Sequence, residues 1–237
     1  MEQALYDRPD AYDALYASKD YEREVRFVLN RFNEHGNSGD HVLVVGCGTG
    51  QHSLFLRERG FEVTGVDPNP TMLERARERS DAKFLQGQLP ELSSSFDTDD
   101  PTFDLVWVPY TVFNYLTADE LVQALRSLTD CLVNNGMLVF DLGDFPTMPG
   151  PALQVVPSAE RDCARLYQHR AIGDDCVRMD ALIFFGEEWF VDTHTLTTFD
   201  AGTVADSLNE LGYAVETHDW YGDAPTVMAD PAVVVAH

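Results

Sequence analysis

The stretch His41-Val42-Leu43-Val44-Val45-Gly46-Cys47-Gly48-Thr49-Gly50 decides the fold. Five residues, mostly apolar and β-branched, read as a strand buried on both faces. Three alternate glycines then make a turn, and 51–59 reads as a helix. Glycine is required there because a Cβ would stop a ligand from lying against the turn, and some of these positions need positive φ. The next apolar run, Phe61-Glu62-Val63-Thr64-Gly65-Val66-Asp67, ends in an acid 21 residues after Gly46. A carboxylate at that strand tip can accept hydrogen bonds from both hydroxyls of a ribose. Turn and acid together predict a nucleoside lying across the carboxyl ends of a parallel sheet.

Outward from this unit the alternation continues. A Pro-rich turn and amphipathic helix cover 68–80, and strands are expected at 83–86, 103–108 and 137–141. A helix is expected over 118–133, closed by Asn135-Gly136. Tyr12, Leu15, Tyr16, Val25, Val28 and Phe32 recur at helical spacing before the first strand, and Gly36-Asn37-Ser38-Gly39-Asp40 breaks the pattern. After Asp144 four prolines make an irregular connection, and 163–171, 177–185 and 188–199 alternate like antiparallel strands. A helix over 201–211 and strands over 213–220 and 232–236 return to the main sheet. The expectation is an α/β fold, a doubly wound, mostly parallel seven-stranded sheet of Rossmann-like type with a small antiparallel insertion. Its parts are an N-terminal helical lid (1–39), a cofactor-binding core (40–144 and 200–237) and the insertion on the substrate side (145–199). The short stretch from Ser93-Ser94-Ser95 to Asp99-Asp100 is not low complexity.

Composition narrows the function. Sixteen basic residues against 40 acidic ones give a net charge of −24. Such a chain cannot neutralise a run of phosphates or an anionic lipid surface, which argues against nucleic-acid and membrane partners. Only Lys19 and Lys83 are lysines. An acid-rich, lysine-poor surface suits a cytoplasm at molar salt, where the Debye length is about 3 Å. Cysteines 47, 131, 163 and 176 show neither a disulfide framework nor zinc-ligand spacing, so no metal is expected. No signal segment or apolar span is visible, and a cytoplasmic protein is expected.

The dinucleotide fingerprint wants a third glycine where this chain has Gln51. A ligand without a pyrophosphate does not need it. These residues resemble the class I S-adenosylmethionine-dependent methyltransferases. Val44 to Gly50 is similar to their first motif, Asp67-Pro68-Asn69-Pro70-Thr71-Met72-Leu73 to their acidic loop, and Phe103-Asp104-Leu105-Val106 and Asn135-Gly136-Met137-Leu138-Val139-Phe140-Asp141 to their fourth- and fifth-strand motifs. The resemblance covers about residues 40 to 143. It implies S-adenosyl-L-methionine as cofactor, with Gly46, Cys47, Gly48 and Gly50 under its methionine portion and Asp67 on its ribose. Pro68 and Met72 would pack near the adenine, Met72 otherwise being core. Gly87 and Gln88 stand where the family often has an acid for the adenine amine, and the Gln88 carbonyl can accept that bond.

A looser similarity reaches the small-molecule N-methyltransferases, those of nucleotide-linked amino sugars among them, through Tyr12, Lys19-Asp20-Tyr21, Asn114-Tyr115-Leu116 and the insertion. In such enzymes an imidazole near the position of Tyr115 can assist deprotonation; Tyr115 is the catalytic candidate that replaces it. Tyr12 and Tyr21 can offer aromatic faces to a sulfonium, or anchor the N-terminal helix. Tyr110 is expected as pocket wall or core, because Val108-Pro109-Tyr110-Thr111 has only part of the pattern used on exocyclic amines. Substrate contact is expected of Tyr12, Tyr110, Asn114 and His194, and Asp141 and Asp144 read as loop caps. The implied reaction methylates a small molecule, N- ahead of O- or C-methylation. A quinone or lipid-like acceptor, or a non-catalytic cofactor-binding partner protein, are the alternatives. Exposed insertion edges could pair two copies into a homodimer.

Overall fold

The computed structural model describes residues 3–35, 38–92, 96, 103–156, 161–221, 228 and 231–237. The break at Gly36-Asn37, the stretch from Ser93-Ser94-Ser95 to Asp99-Asp100 (Phe96 apart) and Pro157 lie outside them. Two helices, α1 (Pro9–Leu15) and α2 (Tyr21–Glu34), precede β1 (His41–Val45), α3 (Gln51–Arg57), β2 (Glu62–Asp67), α4 (Pro70–Arg79) and β3 (Lys83–Gln86). Then come β4 (Phe103–Val108), two 3-10 turns (Val112–Tyr115 and Ala118–Glu120), α5 (Leu121–Thr129) and β5 (Leu132–Leu142). β6 (Ala152–Val156), β7 (Cys163–Ala171), β8 (Cys176–Phe185) and β9 (Glu188–Thr197) form the insertion, and α6 (Ala201–Glu210), β10 (Val215–Asp219) and β11 (Ala232–Ala236) close the chain.

The main sheet runs β10-β11-β5-β4-β1-β2-β3, with β11 antiparallel to both neighbours and the other pairs parallel. The chain moves outward from β1 to β3, then returns to β4 on the other side of β1. At that switch the loops at the carboxyl ends of β1 and β4 part and leave a crevice. Helices cover both faces. Val25, Val28 and Phe32 of α2, Leu56 of α3 and Leu73 of α4 pack on one side, with Trp107 fully buried beneath them. Leu125 and Leu128 of α5 and Val204 and Leu208 of α6 pack on the other. Each such side chain contributes about 1.5–3 kcal/mol when withdrawn from water.

Two expectations are corrected. Asn135-Gly136 does not close a helix: α5 stops at Thr129, and both residues lie inside β5. Asn135, at φ +63°, sits where the β4/β5 register shifts between Phe103 and Leu105. A bulge and a helix end both want a residue tolerant of the left-handed region, so the same dipeptide serves either. The proline-rich connection also contains a strand, β6, antiparallel to β7. The insertion is thus a four-stranded sheet in the order β6-β7-β8-β9. Its inner face packs Tyr167, Ala181, Ile183 and Phe190 with Ala11 and Leu15 of α1.

Candidate functional site

The glycine turn is bent as expected, with φ of +70° at Gly46, +53° at Gly48 and +79° at Gly50. The N–H groups of Gly46 and Cys47 both donate to Val66 O at the end of β2. A Cβ on Gly46 would lie 2.3 Å from Val112, and one on Gly50 would lie 3.0 Å from Ala76. One on Gly48 would meet no protein atom within 4 Å, because that position faces the crevice. Gly50 caps α3.

Asp67 is 8% exposed, its Oδ2 accepting Gly48 N–H and its Oδ1 accepting Asn69 N–H, each at 2.9 Å. Burial pushes its carboxyl above the ordinary range, against those two bonds. Both oxygens keep acceptor capacity for a diol.

The crevice holds a cavity of about 570 Å³. Of the expected cofactor residues, Gly46, Gly48, Asp67, Pro68, Met72, Gly87 and Gln88 line it, as do Tyr12, Tyr110 and Tyr115. A smaller recess shares Tyr12, Gly46 and Tyr110 and adds Cys47, Tyr21 and His52. Gly50 lines neither and supports the turn from behind.

Two expected substrate contacts stand off the wall. Asn114 is fully buried: its amide donates to Gly143 O and Thr197 O, and its Oδ1 accepts Gly143 N–H, so it clamps the turn after β4 to the ends of β5 and β9. No polar atom of it is left for a substrate. His194, 3% exposed, lies behind Tyr115, whose hydroxyl is 2.8 Å from His194 Nδ1. His194 Nε2 is 2.6 Å from Asp192 Oδ2, and Tyr115 Oη is 2.7 Å from Tyr6 Oη. Tyr6 lines the cavity beside Tyr115.

The sequence reading missed Tyr6 and Asp192, and also a charged cluster behind the recess. Lys19 pairs with Glu24, and Glu24 Oε2 is 2.7 Å from His52 Nε2. Burial lowers His52 to about 4, so this imidazole is neutral. The Lys19 ammonium lies 4.4 Å and 4.7 Å from the ring centroids of Tyr21 and Tyr110. The cation over Tyr21 is therefore an internal one. A lysine in a chain with only two was the available signal.

Asp141 is fully buried and accepts Tyr110 N–H at 2.7 Å, Thr111 N–H and the Tyr221 hydroxyl at 2.8 Å. Tyr110 and Thr111 are both at positive φ, at 66° and 59°. Asp141 thus holds a strained turn over the cavity, a loop-capping role of the kind expected of it. Burial raises its carboxyl to about 7.

Residues 42–136 match the family described as "Methyltransferase domain". The dTDP-3-amino-3,4,6-trideoxy-alpha-D-glucopyranose N,N-dimethyltransferase of Streptomyces venezuelae is 27% identical over 222 residues, 89% of this chain and 91% of that one. Among solved structures, DesVI of Streptomyces venezuelae superposes with a TM-score of 0.82 at 25% identity, covering 96% of each chain. S-adenosylmethionine-bound CalS10 of Micromonospora echinaspora, an amino pentose methyltransferase, gives 0.77 at 25% identity, covering 95% of this chain and 96% of that one. With this sheet order, glycine turn and strand-tip acid, the chain is an S-adenosylmethionine-dependent methyltransferase. The site fits the cofactor: Gly48 leaves open the space a Cβ would fill, and Asp67 is fixed beside it.

Proposed function

We propose that the enzyme methylates a small-molecule acceptor, with nitrogen as the favoured target. The observation that supports this best is the cavity in the crevice, lined by Tyr6 and Tyr12 of the N-terminal segment together with Tyr110 and Tyr115. A polar acceptor the size of a sugar suits such a wall. S-adenosylmethionine, when bound, supplies a methyl whose C–S bond breaks with its electron pair left on sulfur while the acceptor's lone pair forms the new bond. The protein positions the two reactants and keeps water out. Asp67 would hold the ribose hydroxyls, the glycine turn would pass under the methionine portion, Pro68 and Met72 would flank the adenine, and Gln88 would accept from its amine.

The relative acting on a dTDP-linked amino sugar supports an amine acceptor. No described helix is long and apolar enough to cross a membrane. Its four cysteines are free, which supports a reducing cytoplasm. The charge of −24 supports a saline one and argues against nucleic-acid and anionic-lipid partners. The outer face of the insertion supports a homodimer. Leu153, Leu166, Leu182 and Val191 form one row across its four strands, and Val155, Ala164, Phe184 and Trp189 the next.

Calorimetric titration with S-adenosylmethionine and with NAD, at low and molar salt, tests the cofactor assignment. Binding of S-adenosylmethionine alone, weakened at least tenfold (about 1.4 kcal/mol) by Asp67→Ala, is expected. Production of S-adenosylhomocysteine with a panel of amino sugars, alkylamines, phenols and quinols then tests the acceptor. Binding without turnover on any of them would favour a non-catalytic role.

A further inference from the structure

Tyr6, Tyr115, His194 and Asp192 come from the N-terminal segment, the turn after β4 and β9, and meet in one unbroken hydrogen-bonded chain. Its direction follows from its buried end. Asp192 is 1% exposed and its Oδ1 accepts Leu5 N–H at 3.1 Å. Burial pushes this carboxyl up, but the hydrogen bonds it accepts from His194 and Leu5, with the charge of Arg165, outweigh that and hold it below the usual carboxylate range. An ionised carboxylate only accepts, so the hydrogen between it and His194 belongs to Nε2. In the neutral imidazole His194 Nδ1 then offers a lone pair, so that Tyr115 donates to it and Tyr6 donates to Tyr115. What the chain presents to the cavity is a Tyr6 oxygen with lone pairs unused. The open end is a proton acceptor.

We propose that this chain is a proton relay that deprotonates the methyl acceptor, and that the acceptor is an aliphatic amine arriving as its ammonium ion. The proposal rests on the methyl-transfer reading above. An ammonium has no lone pair and must lose a proton before it can attack a methyl group. One N–H proton moves to the Tyr6 oxygen as Tyr6's own proton passes to Tyr115 and Tyr115's to His194 Nδ1. The nitrogen keeps its electron pair and becomes neutral. The positive charge reappears as an imidazolium beside Asp192. Burial raises both phenols well above their ordinary values, so neither holds a lasting negative charge. They pass the proton, and His194 stores it. Tyr6 is the catalytic residue, touching the acceptor; His194 and Asp192 are positioning residues that act through it. The charged and titratable groups around the relay are Tyr12 of α1, Tyr16 from its end and Arg165 from β7, the last acting on Asp192. Met179 is His194's cross-strand neighbour on β8 and carries no charge.

The first test needs no acceptor. In histidine-15N-labelled protein holding S-adenosylhomocysteine, with the His194 signals assigned by His194→Gln, the Nε2–H tautomer is expected at about pH 8, with Nδ1 unprotonated and shifted by Tyr115→Phe. An Nδ1–H tautomer, an imidazolium persisting at that pH, or a resonance indifferent to Tyr115→Phe overturns the relay. The second test uses the amine found by the acceptor panel. His194→Gln is expected to lower kcat by about 10²–10⁴ with an unchanged Kd for S-adenosylmethionine. That loss should shrink as pH rises, because solvent then deprotonates the amine. A loss independent of pH marks a merely structural role and overturns the proposal. If His194→Gln does not fold, Tyr6→Phe is expected to show the same loss of kcat, shrinking in the same way as pH rises. A panel that yields only hydroxyl or carbon acceptors refutes the amine and the relay but leaves methyl transfer standing; failure to bind S-adenosylmethionine refutes the reading beneath both.

Discussion

Asp141 ties the backbone of the main sheet to the wall of the cavity through a single carboxyl. It sits at the end of β5, yet its three hydrogen-bond donors come from the turn after β4 and from Tyr221. Raised to about 7 by burial, it keeps its proton in the folded state where an unfolded aspartate, near 4, has lost it. Between those values the native state binds more protons, so stability falls as pH rises from about 4 to about 7. His52, lowered to about 4, works in the opposite direction over a similar window. The comparison must therefore be a difference. Urea unfolding of the parent and of Asp141→Asn across this range should give a gap that shifts against the parent by up to about 4 kcal/mol as pH rises. A constant gap would mean that Asp141 is ionised throughout. The capping role was legible from its place at a strand end; the positive φ of Tyr110 and Thr111 that it supports was not.

Among the elements, α1 is too short to stand alone as a helix and depends on its contacts. Asp13 supplies many of them: it accepts the Thr49 hydroxyl at 2.7 Å in the glycine turn and pairs with Arg75 at 3.2 Å and Arg79 at 2.6 Å on α4. The side chains of Asp13 and Arg79 are each 15% exposed, so the bonds are largely shielded from water. Asp13→Ala leaves Arg79 short of a partner and frees the helix that roofs the cavity. The expected result is a rise of about tenfold in the KM for S-adenosylmethionine, faster amide exchange over 9–16, and a smaller effect on kcat. Unchanged exchange there would mean that apolar packing of Ala11 and Leu15 alone holds the lid. That the N-terminal segment is helical was plain from its periodicity. Its place over the cavity, with Tyr6 against Tyr115 and His194, was hidden, since Tyr115 lies 109 residues from Tyr6 and 79 residues from His194.

At the scale of the whole molecule, the outer face of the insertion contrasts with a surface of net charge −24. Leu153, Val155 and Trp189 are 63–66% exposed, and Phe184 and Val191 are 43% exposed. Exposed apolar rows of this kind mark an interaction surface. Two copies of so acidic a chain repel each other, and this apolar patch is where they can approach; salt screens the remainder. Light scattering across a KCl series should find a dimer that strengthens toward molar salt, and Trp189→Glu should shift it to monomer while leaving cofactor binding intact. A monomer at all salt concentrations rejects the dimer. The thermal midpoint of the monomeric variant should still rise with KCl, because self-repulsion belongs to the chain and not to the interface.

By itself the sequence determined the strand-helix alternation, the glycine turn, the strand-tip acid and hence a nucleoside site, because each is a local demand of burial, φ or hydrogen bonding written within some thirty residues; the cofactor followed from the family resemblance those motifs carry. It also read β7, β8 and β9 from alternation, while β6 stayed hidden among prolines with its Leu153 and Val155 exposed. Only the tertiary structure decided that Asn114 clamps loops, that His194 stands behind Tyr115, and that Asp192 fixes the direction of the proton chain. These are contacts between distant segments, set by how the lid and the insertion pack over the sheet, and no local pattern of residues encodes which side chains then meet.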